Sequence, residues 1–238
     1  MTPLSFLVPV EHDAAKVSAS LYAAERPGPS DAVLLLAHGA GAGHSSPFMT
    51  AYAAQLAARG VDVVTFNFPY MERHRRVPDR APVLEDTFRR VVLAMLAHRD
   101  LQGSRVFIGG KSMGGRIATQ LATAPEAWPT AAPPLAGVVV LGYPLAPPGG
   151  RHKGDRVTHL RRVAIPTLIV QGTRDPFGGP DEVREAVFVN DAHPPIDIVG
   201  VEGADHSFGV LKSSGRDQDR VHAEVQDAVA RWIRGQIA

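Results

Sequence analysis

The sequence predicts an α/β fold: a mostly parallel, doubly wound sheet of about eight strands with helices on both faces and no large cap domain. Short β-branched or leucine-rich runs alternate with longer helical patterns, which is how crossover units read in sequence. Several of those runs, VLLLA and GVVVLG among them, are apolar throughout, as strands covered on both faces must be. Composition agrees. The 238 residues include 23 glycines and 20 prolines, with 45% hydrophobic and 21% charged residues. That is below the roughly 25–30% Gly plus Pro of low-complexity chains. A chain of this size can bury roughly 70% of its unfolded surface, so residues 1–238 read as one domain with its own core.

The elements follow in order. Val17–Tyr22 alternates in polarity like an antiparallel edge strand, with Leu4–Val8 as its candidate partner. The buried strands are Val33–Ala37, Val61–Phe68, Val106–Gly109, Val138–Leu141, Thr167–Gln171 and Ile196–Val201. Between them lie helices Phe48–Arg59, closed by Gly60, then Pro82–Arg99, and Met113–Ala124, closed by Pro125. Asp181–Val189, with Asp181 as its cap, and Gln218–Arg234 follow. In the last helix Val221, Val225, Val229, Trp232 and Ile233 form one apolar face. The stretch YPLAPPGGRHKG and the short helix Asp155–Arg162 read as a lid or rim loop around residues 143–162, too short for a second domain.

Charge and cysteine usage exclude whole classes of function. The formal charge is +1, so nothing in the balance calls for nucleic acid, an anionic membrane or an acidic partner. There is no cysteine, which removes disulfides, thiolate metal sites and a thiol nucleophile together. Met1–Val10 has no basic head and is broken by Pro3, Ser5 and Pro9, so it does not read as a secretion signal. No apolar run reaches the ~18 residues of a membrane span. The expectation is a soluble, cytoplasmic chain that meets no nucleic acid and no membrane; its oligomeric state is left open.

The strongest local signal is FIGGKSMGGR, which places Gly110-Lys111-Ser112-Met113-Gly114 between a strand and a helix. That is a nucleophile elbow: small residues two before and two after let a sharp turn lift the serine hydroxyl clear of the sheet. With 11 serines and 23 glycines in the chain, chance supplies only about 0.1 such patterns. Two nucleotide readings fail here. A phosphate-binding P-loop needs glycine where Arg105 stands, and LLLAHGAGAG lacks the third glycine of a dinucleotide fingerprint because His44 occupies it.

His38-Gly39-Ala40 ends the Val33–Ala37 strand, where acyl transfer needs a backbone N–H aimed at the developing oxyanion. Ala40 N–H and Met113 N–H are the candidate donors, with His38 orienting the loop. A serine hydroxyl needs a base, and the base an orienting carboxylate. Asp175 in LIVQGTRDPFGG and His206 in GADHSF supply them in the chain order Ser, acid, His. Asp205 would face away from His206 in an extended loop. His44, His74, His152, His159 and His193 lack metal-ligand spacing, so no metal site is expected. Phe48, Tyr70, Tyr143, Leu145 and Phe177 are candidates for an apolar acyl pocket. In FNFPYMERHRR, Tyr70 with Arg73, Arg75 and Arg76 reads as a pocket wall, as an anion contact or, more plainly, as a solvated loop turning at Pro69.

From His38-Gly39 to His206 this pattern resembles the α/β-hydrolase superfamily. More narrowly, GKSMGGR, FNFPY and LGYPL are similar to the small dienelactone-hydrolase-like group, which also includes a chromatin-complex regulatory subunit. The resemblance implies an eight-stranded α/β-hydrolase fold with Ser112 as nucleophile, His206 as base, Asp175 as orienting acid and no cofactor. Dienelactone hydrolases proper carry cysteine where this chain has serine. The expected function is a carboxylesterase-like serine hydrolase acting on a small-molecule ester, with thioester or small amide as neighbouring substrates. Two alternatives remain at this level: a binding or scaffold protein that keeps the fold without turnover, and an acyltransferase or perhydrolase using the same three residues.

Overall fold

The computed structural model describes residues 2–11, 15–24, 31–98, 101–124, 126, 128–146, 156–189 and 193–237. Eight strands form one sheet: β1 (Leu4–Pro9), β2 (Lys16–Tyr22), β3 (Ala32–Ala37), β4 (Asp62–Phe66), β5 (Arg105–Lys111), β6 (Leu135–Leu141), β7 (Thr167–Gly172) and β8 (Ile196–Val201). Their spatial order is β1-β2-β4-β3-β5-β6-β7-β8. β1 and β2 are antiparallel, each to its neighbour, and every pairing from β4 to β8 is parallel. From β3 the chain crosses first to β4 and then back to β5 on the other side. The carboxyl ends of β3 and β5 therefore flank the crevice where open α/β sheets take their ligands.

Among the described residues six α-helices cover the sheet: α1 (Pro47–Ala57), α2 (Pro69–Glu72), α3 (Ala81–Leu96), α4 (Met113–Ala122), α5 (Pro180–Val187) and α6 (Gln218–Ile237). Alternate residues of β3 show why its sequence is apolar throughout. Val33, Leu35 and Ala37 pack with α3, α4 and α5, whereas Leu34 and Leu36 pack with α1 and α6. Each such leucine or valine, fully withdrawn from water, contributes about 1.5–3 kcal/mol, so this strand anchors two cores at once. On α6 the expected face is buried at Val221, Val225, Val229 and Ile233, while Trp232 stays half-buried and donates Nε1–H to Asp197.

The departures from expectation are local. β4 stops at Phe66 instead of Phe68: Asn67 N–H still donates to Ser18 of β2, but Phe68 N–H turns away to the His38 ring. Of the residues that follow, Pro69–Glu72 form α2, with Phe68 and Tyr70 fully buried, whereas 74–77 are exposed and lie outside any helix, as the solvated-loop reading expects. Asp181 does not cap α5. Gly179 holds the cap position, its N–H donating to Glu182, and Asp181 sits in the first turn paired with Arg184. In place of the helix ending at Arg162 there is a single 3₁₀ turn over Leu160–Arg162, too short a segment to repay helix nucleation. Its expected start at Asp155, the middle of the rim segment (147–155), His152, Pro125 and Arg99 lie outside the described residues. Among the described residues no helix is long and apolar enough to cross a membrane.

Candidate active site

Ser112 sits between β5 and α4 with φ 50° and ψ −114°, a left-handed conformation that costs a non-glycine residue roughly 1–3 kcal/mol. Its surroundings hold it there. A methyl group on Gly114 would lie 2.6 Å from the Ala37 carbonyl oxygen, and one on Gly110 would lie 2.5 Å from the Gly114 backbone. Only hydrogen at these two positions lets β5 and α4 close against the end of β3. The strain at Ser112 is thus maintained by backbone packing on both sides of it.

Around that serine the tertiary fold assembles a hydrogen-bonded chain. His206 Nε2 lies 2.8 Å from Ser112 Oγ and His206 Nδ1 lies 2.6 Å from Asp175 Oδ2. A carboxylate only accepts, so Nδ1 carries the proton and Nε2 is free to accept from the hydroxyl. Asp175 has no side-chain exposure and His206 only 16%. Asp175 is itself held: Phe177 N–H donates to Oδ1 at 2.8 Å, and Gln171 Nε2–H donates to Oδ2 at 2.9 Å. Gln171 also donates to the Tyr143 and Gly178 carbonyls and accepts from Tyr143 N–H, tying the ends of β6 and β7 to the carboxylate. The Phe177 ring stands edge-on to the imidazole at 4.6 Å between centroids.

Lys111 reinforces the other side of His206. Its Nζ donates to the His206 carbonyl, and it faces the Phe48 ring at 5.7 Å. Burial pulls its pKa down to about 8, against the attraction of Asp175 and Asp205. Asp205 makes no contact with the His206 ring. The loop is a tight turn and not the extended segment expected, and Oδ1 of Asp205 accepts from Ser207 and Gly209 N–H.

Ala40 and Met113 border the same small cleft as Ser112. Met113 opens α4, so its N–H has no acceptor within the helix and stands at the positive end of the dipole. His38 braces the Ala40 turn: its Nδ1–H donates to the Gly39 carbonyl at 2.8 Å and its Nε2 accepts from Phe68 N–H at 3.1 Å. That ring is buried and neutral, with burial pressing its pKa down to about 4 despite the bond to Gly39.

The cleft has a volume of about 240 Å³. Of the five residues expected to form an apolar pocket, only Phe177 borders it. Tyr70, Tyr143 and Leu145 are fully buried in the core, and Phe48 stacks on Tyr52 on the opposite face of the sheet at 4.2 Å. Tyr143 instead donates its hydroxyl to the Arg156 carbonyl, fixing one end of the rim segment. Arg73 and Arg75 do not enter the cleft; both pair with Asp79. Gln171, Lys111, Arg116 and Arg156 escaped the sequence reading. The one hint was Gln171, the polar residue closing the apolar run LIV. Among the described residues no cluster of metal-ligating side chains occurs.

Solved structures of this shape cover nearly the whole chain. A dienelactone hydrolase from Anabaena variabilis is 20% identical over 98% of both chains, with a TM-score of 0.69. An α/β serine hydrolase without lid from Xanthomonas campestris is 18% identical over 97% of this chain and 94% of its own, with a TM-score of 0.67. An α/β serine hydrolase homologue from Coxiella burnetii is 21% identical over 97% of each, with a TM-score of 0.68. At such identities the likeness is one of fold. Family membership rests on sequence: residues 30–234 match the alpha/beta hydrolase domain, and the chain belongs to that family.

Proposed function

We propose that this chain is a serine hydrolase that cleaves a carboxylic ester of a small molecule through an acyl-enzyme on Ser112. The observation that carries the reading is the Asp175–His206–Ser112 chain, with its 2.6 and 2.8 Å links, ending on a serine held at positive φ. As Ser112 Oγ attacks the carbonyl carbon, its proton passes to His206 Nε2. Asp175 stabilises the imidazolium and keeps Nδ1–H pointed at itself. Ala40 and Met113 N–H receive the oxyanion, a term worth roughly 2.7–4 kcal/mol of barrier for each donor. The proton then leaves with the alcohol, and water, deprotonated by the same imidazole, releases the acid and restores Ser112. No cofactor takes part in this sequence. The structural neighbours, which include serine hydrolases and a dienelactone hydrolase, support the chemistry.

The test is covalent. A fluorophosphonate should add one adduct to the intact chain, and the adduct should vanish in Ser112→Ala while thermal unfolding stays cooperative. Folded wild-type protein that takes no adduct would overturn the reading in favour of a scaffold.

A further inference from the structure

Lys111 ends β5 and directly precedes Ser112, yet only 8% of the residue is exposed. Burying an ammonium is costly unless its surroundings repay the charge. A methionine of nearly the same length fills such a space without that cost, so packing alone does not account for a lysine here. The surroundings do repay it. Nζ donates to the His206 carbonyl, and Asp175, after β7, and Asp205, after β8, both attract it. From α1 the Phe48 ring faces it at 5.7 Å, and after β6 comes Gly142 at φ 71°. A methyl group on Gly142 would lie 3.0 Å from Nζ, 2.9 Å from the His206 carbonyl oxygen and 3.2 Å from His206 Cε1. The ammonium and the imidazole therefore meet over the one residue type that leaves room for both. Among the described residues, Asp175, Asp205 and His206 are the titratable groups that face Nζ.

Asp175 holds the imidazole at Nδ1 and so sets its tautomer, but a bond to one ring nitrogen does not fix the main chain that carries the ring. Lys111 holds that main chain. Since the same residue is joined to Ser112 by a peptide bond, the clamp refers the position of the base to the backbone of the nucleophile. The 2.8 Å link from Nε2 to Ser112 Oγ needs both ends held, and a misplacement of about 1 Å costs on the order of 10²-fold in rate. A charged donor makes a bond roughly twice as strong as a neutral one. Burial lowers the Lys111 pKa to about 8, so this donor changes from charged to neutral just above neutral pH.

We propose that Lys111 is a positioning residue whose ammonium clamps the His206 main chain and keeps the imidazole aimed at Ser112, so that loss of the Nζ proton slackens the clamp and slows the attack. The proposal rests on the acyl-enzyme reading above and adds a control of that same site. Its sign separates it from a plain field effect. An ammonium acting only as a nearby charge opposes formation of the imidazolium, so losing its proton would speed the attack. A clamp that loses its charge slows it.

The test follows the rate of Ser112 labelling by a fluorophosphonate between pH 7 and pH 9.5, corrected for hydrolysis of the reagent. Wild type should slow by roughly fivefold to tenfold across that range, with its midpoint at about 8. Lys111→Met should be about tenfold slower at pH 7, as the loss of a charge-assisted bond predicts, and flat across the range. Asp205→Asn keeps an oxygen for the Ser207 and Gly209 N–H groups but removes an attraction that raises the Lys111 pKa, so its decline should begin at lower pH. A wild-type rate that stays level or rises overturns the clamp, as does a decline that Lys111→Met retains or Asp205→Asn leaves in place. If Lys111→Met fails to fold, the wild-type and Asp205→Asn profiles decide. If Ser112 takes no adduct at any pH, the acyl-enzyme reading falls, and the low-field proton resonance of His206 Nδ1–H decides the clamp. That line should be sharp in wild type at pH 7 and broaden above pH 8; a line unchanged by pH overturns it.

Discussion

Two depressions flank the turn that carries His206, one on each face of the sheet. The broader, about 830 Å³, lies between α1 and α6 and is bordered by Asp205, Ser207, Phe48 and His222. The narrower, about 240 Å³, opens over Ser112. Each is bordered by a hydroxyl hydrogen-bonded to a histidine, Tyr52 to His222 and Ser112 to His206, yet the two pairs are built for different ends. In the broad groove Tyr52 Oη and His222 Nδ1 share a hydrogen bond of 2.9 Å, and burial raises the pKa of that phenol, so the contact is a packing bond between α1 and α6. In the narrow cleft the imidazole is oriented by a buried carboxylate and the hydroxyl is forced outward by a strained turn. Volume does not set the two apart; the orientation of an imidazole against a hydroxyl does.

The sharpest way to break this comparison is to leave the narrow cleft's shape intact and remove only its orientation. Asp175→Asn permits the wrong imidazole tautomer, and kcat on a 4-nitrophenyl ester should fall on the order of 10⁴-fold with an unchanged circular-dichroism spectrum. A loss of tenfold or less would mean that Asp175 does not orient the base. Next in size is Gly114→Ala. Its added carbon meets backbone oxygen at 2.6 Å, so denaturant unfolding should show a loss of about 3 kcal/mol, along with weaker Ser112 labelling.

Acid should weaken the cleft through His38. Its pKa in the fold is about 4 against an ordinary 6.5, so between those values the unfolded chain binds a proton that the folded chain does not. Stability is therefore full above pH 6.5, declines as pH falls towards 4, and is lower by roughly 2–3 kcal/mol at the bottom of that window. Urea titrations of His38→Gln at pH 7 and pH 4.5 should show a flatter dependence than wild type. An unchanged slope would sink this account. The smallest effect belongs to the broad groove: His222→Phe should cost about 1 kcal/mol through the orphaned Tyr52 hydroxyl and leave ester turnover within twofold. A tenfold loss of turnover would show that the groove takes part in the reaction.

How far the chain could be read differed by kind of feature. The strands around the site and the Ser112 turn were legible because glycine spacing and apolar runs act over a few residues. The end of β4 was not, since Phe68 leaves the strand for a histidine ring thirty positions earlier. The pocket lining failed for the same reason. Tyr70 and Tyr143 follow strand ends as pocket residues do, but which way each ring turns depends on the helices packed over it.

By itself, then, the sequence determined an alternating α/β chain, a strained serine between β5 and α4, and the order in which its aspartate and histidine partners follow it. All three are written in local spacing and in the apolar character of the strands. Only the tertiary structure decided that Gln171 grips Asp175, that Lys111 holds the His206 carbonyl, and that Arg116 and Arg156 border the cleft over Ser112. Those contacts join segments brought together by strand order and by the face each helix presents. A side chain's partner across a sheet leaves no periodic trace in its own neighbourhood.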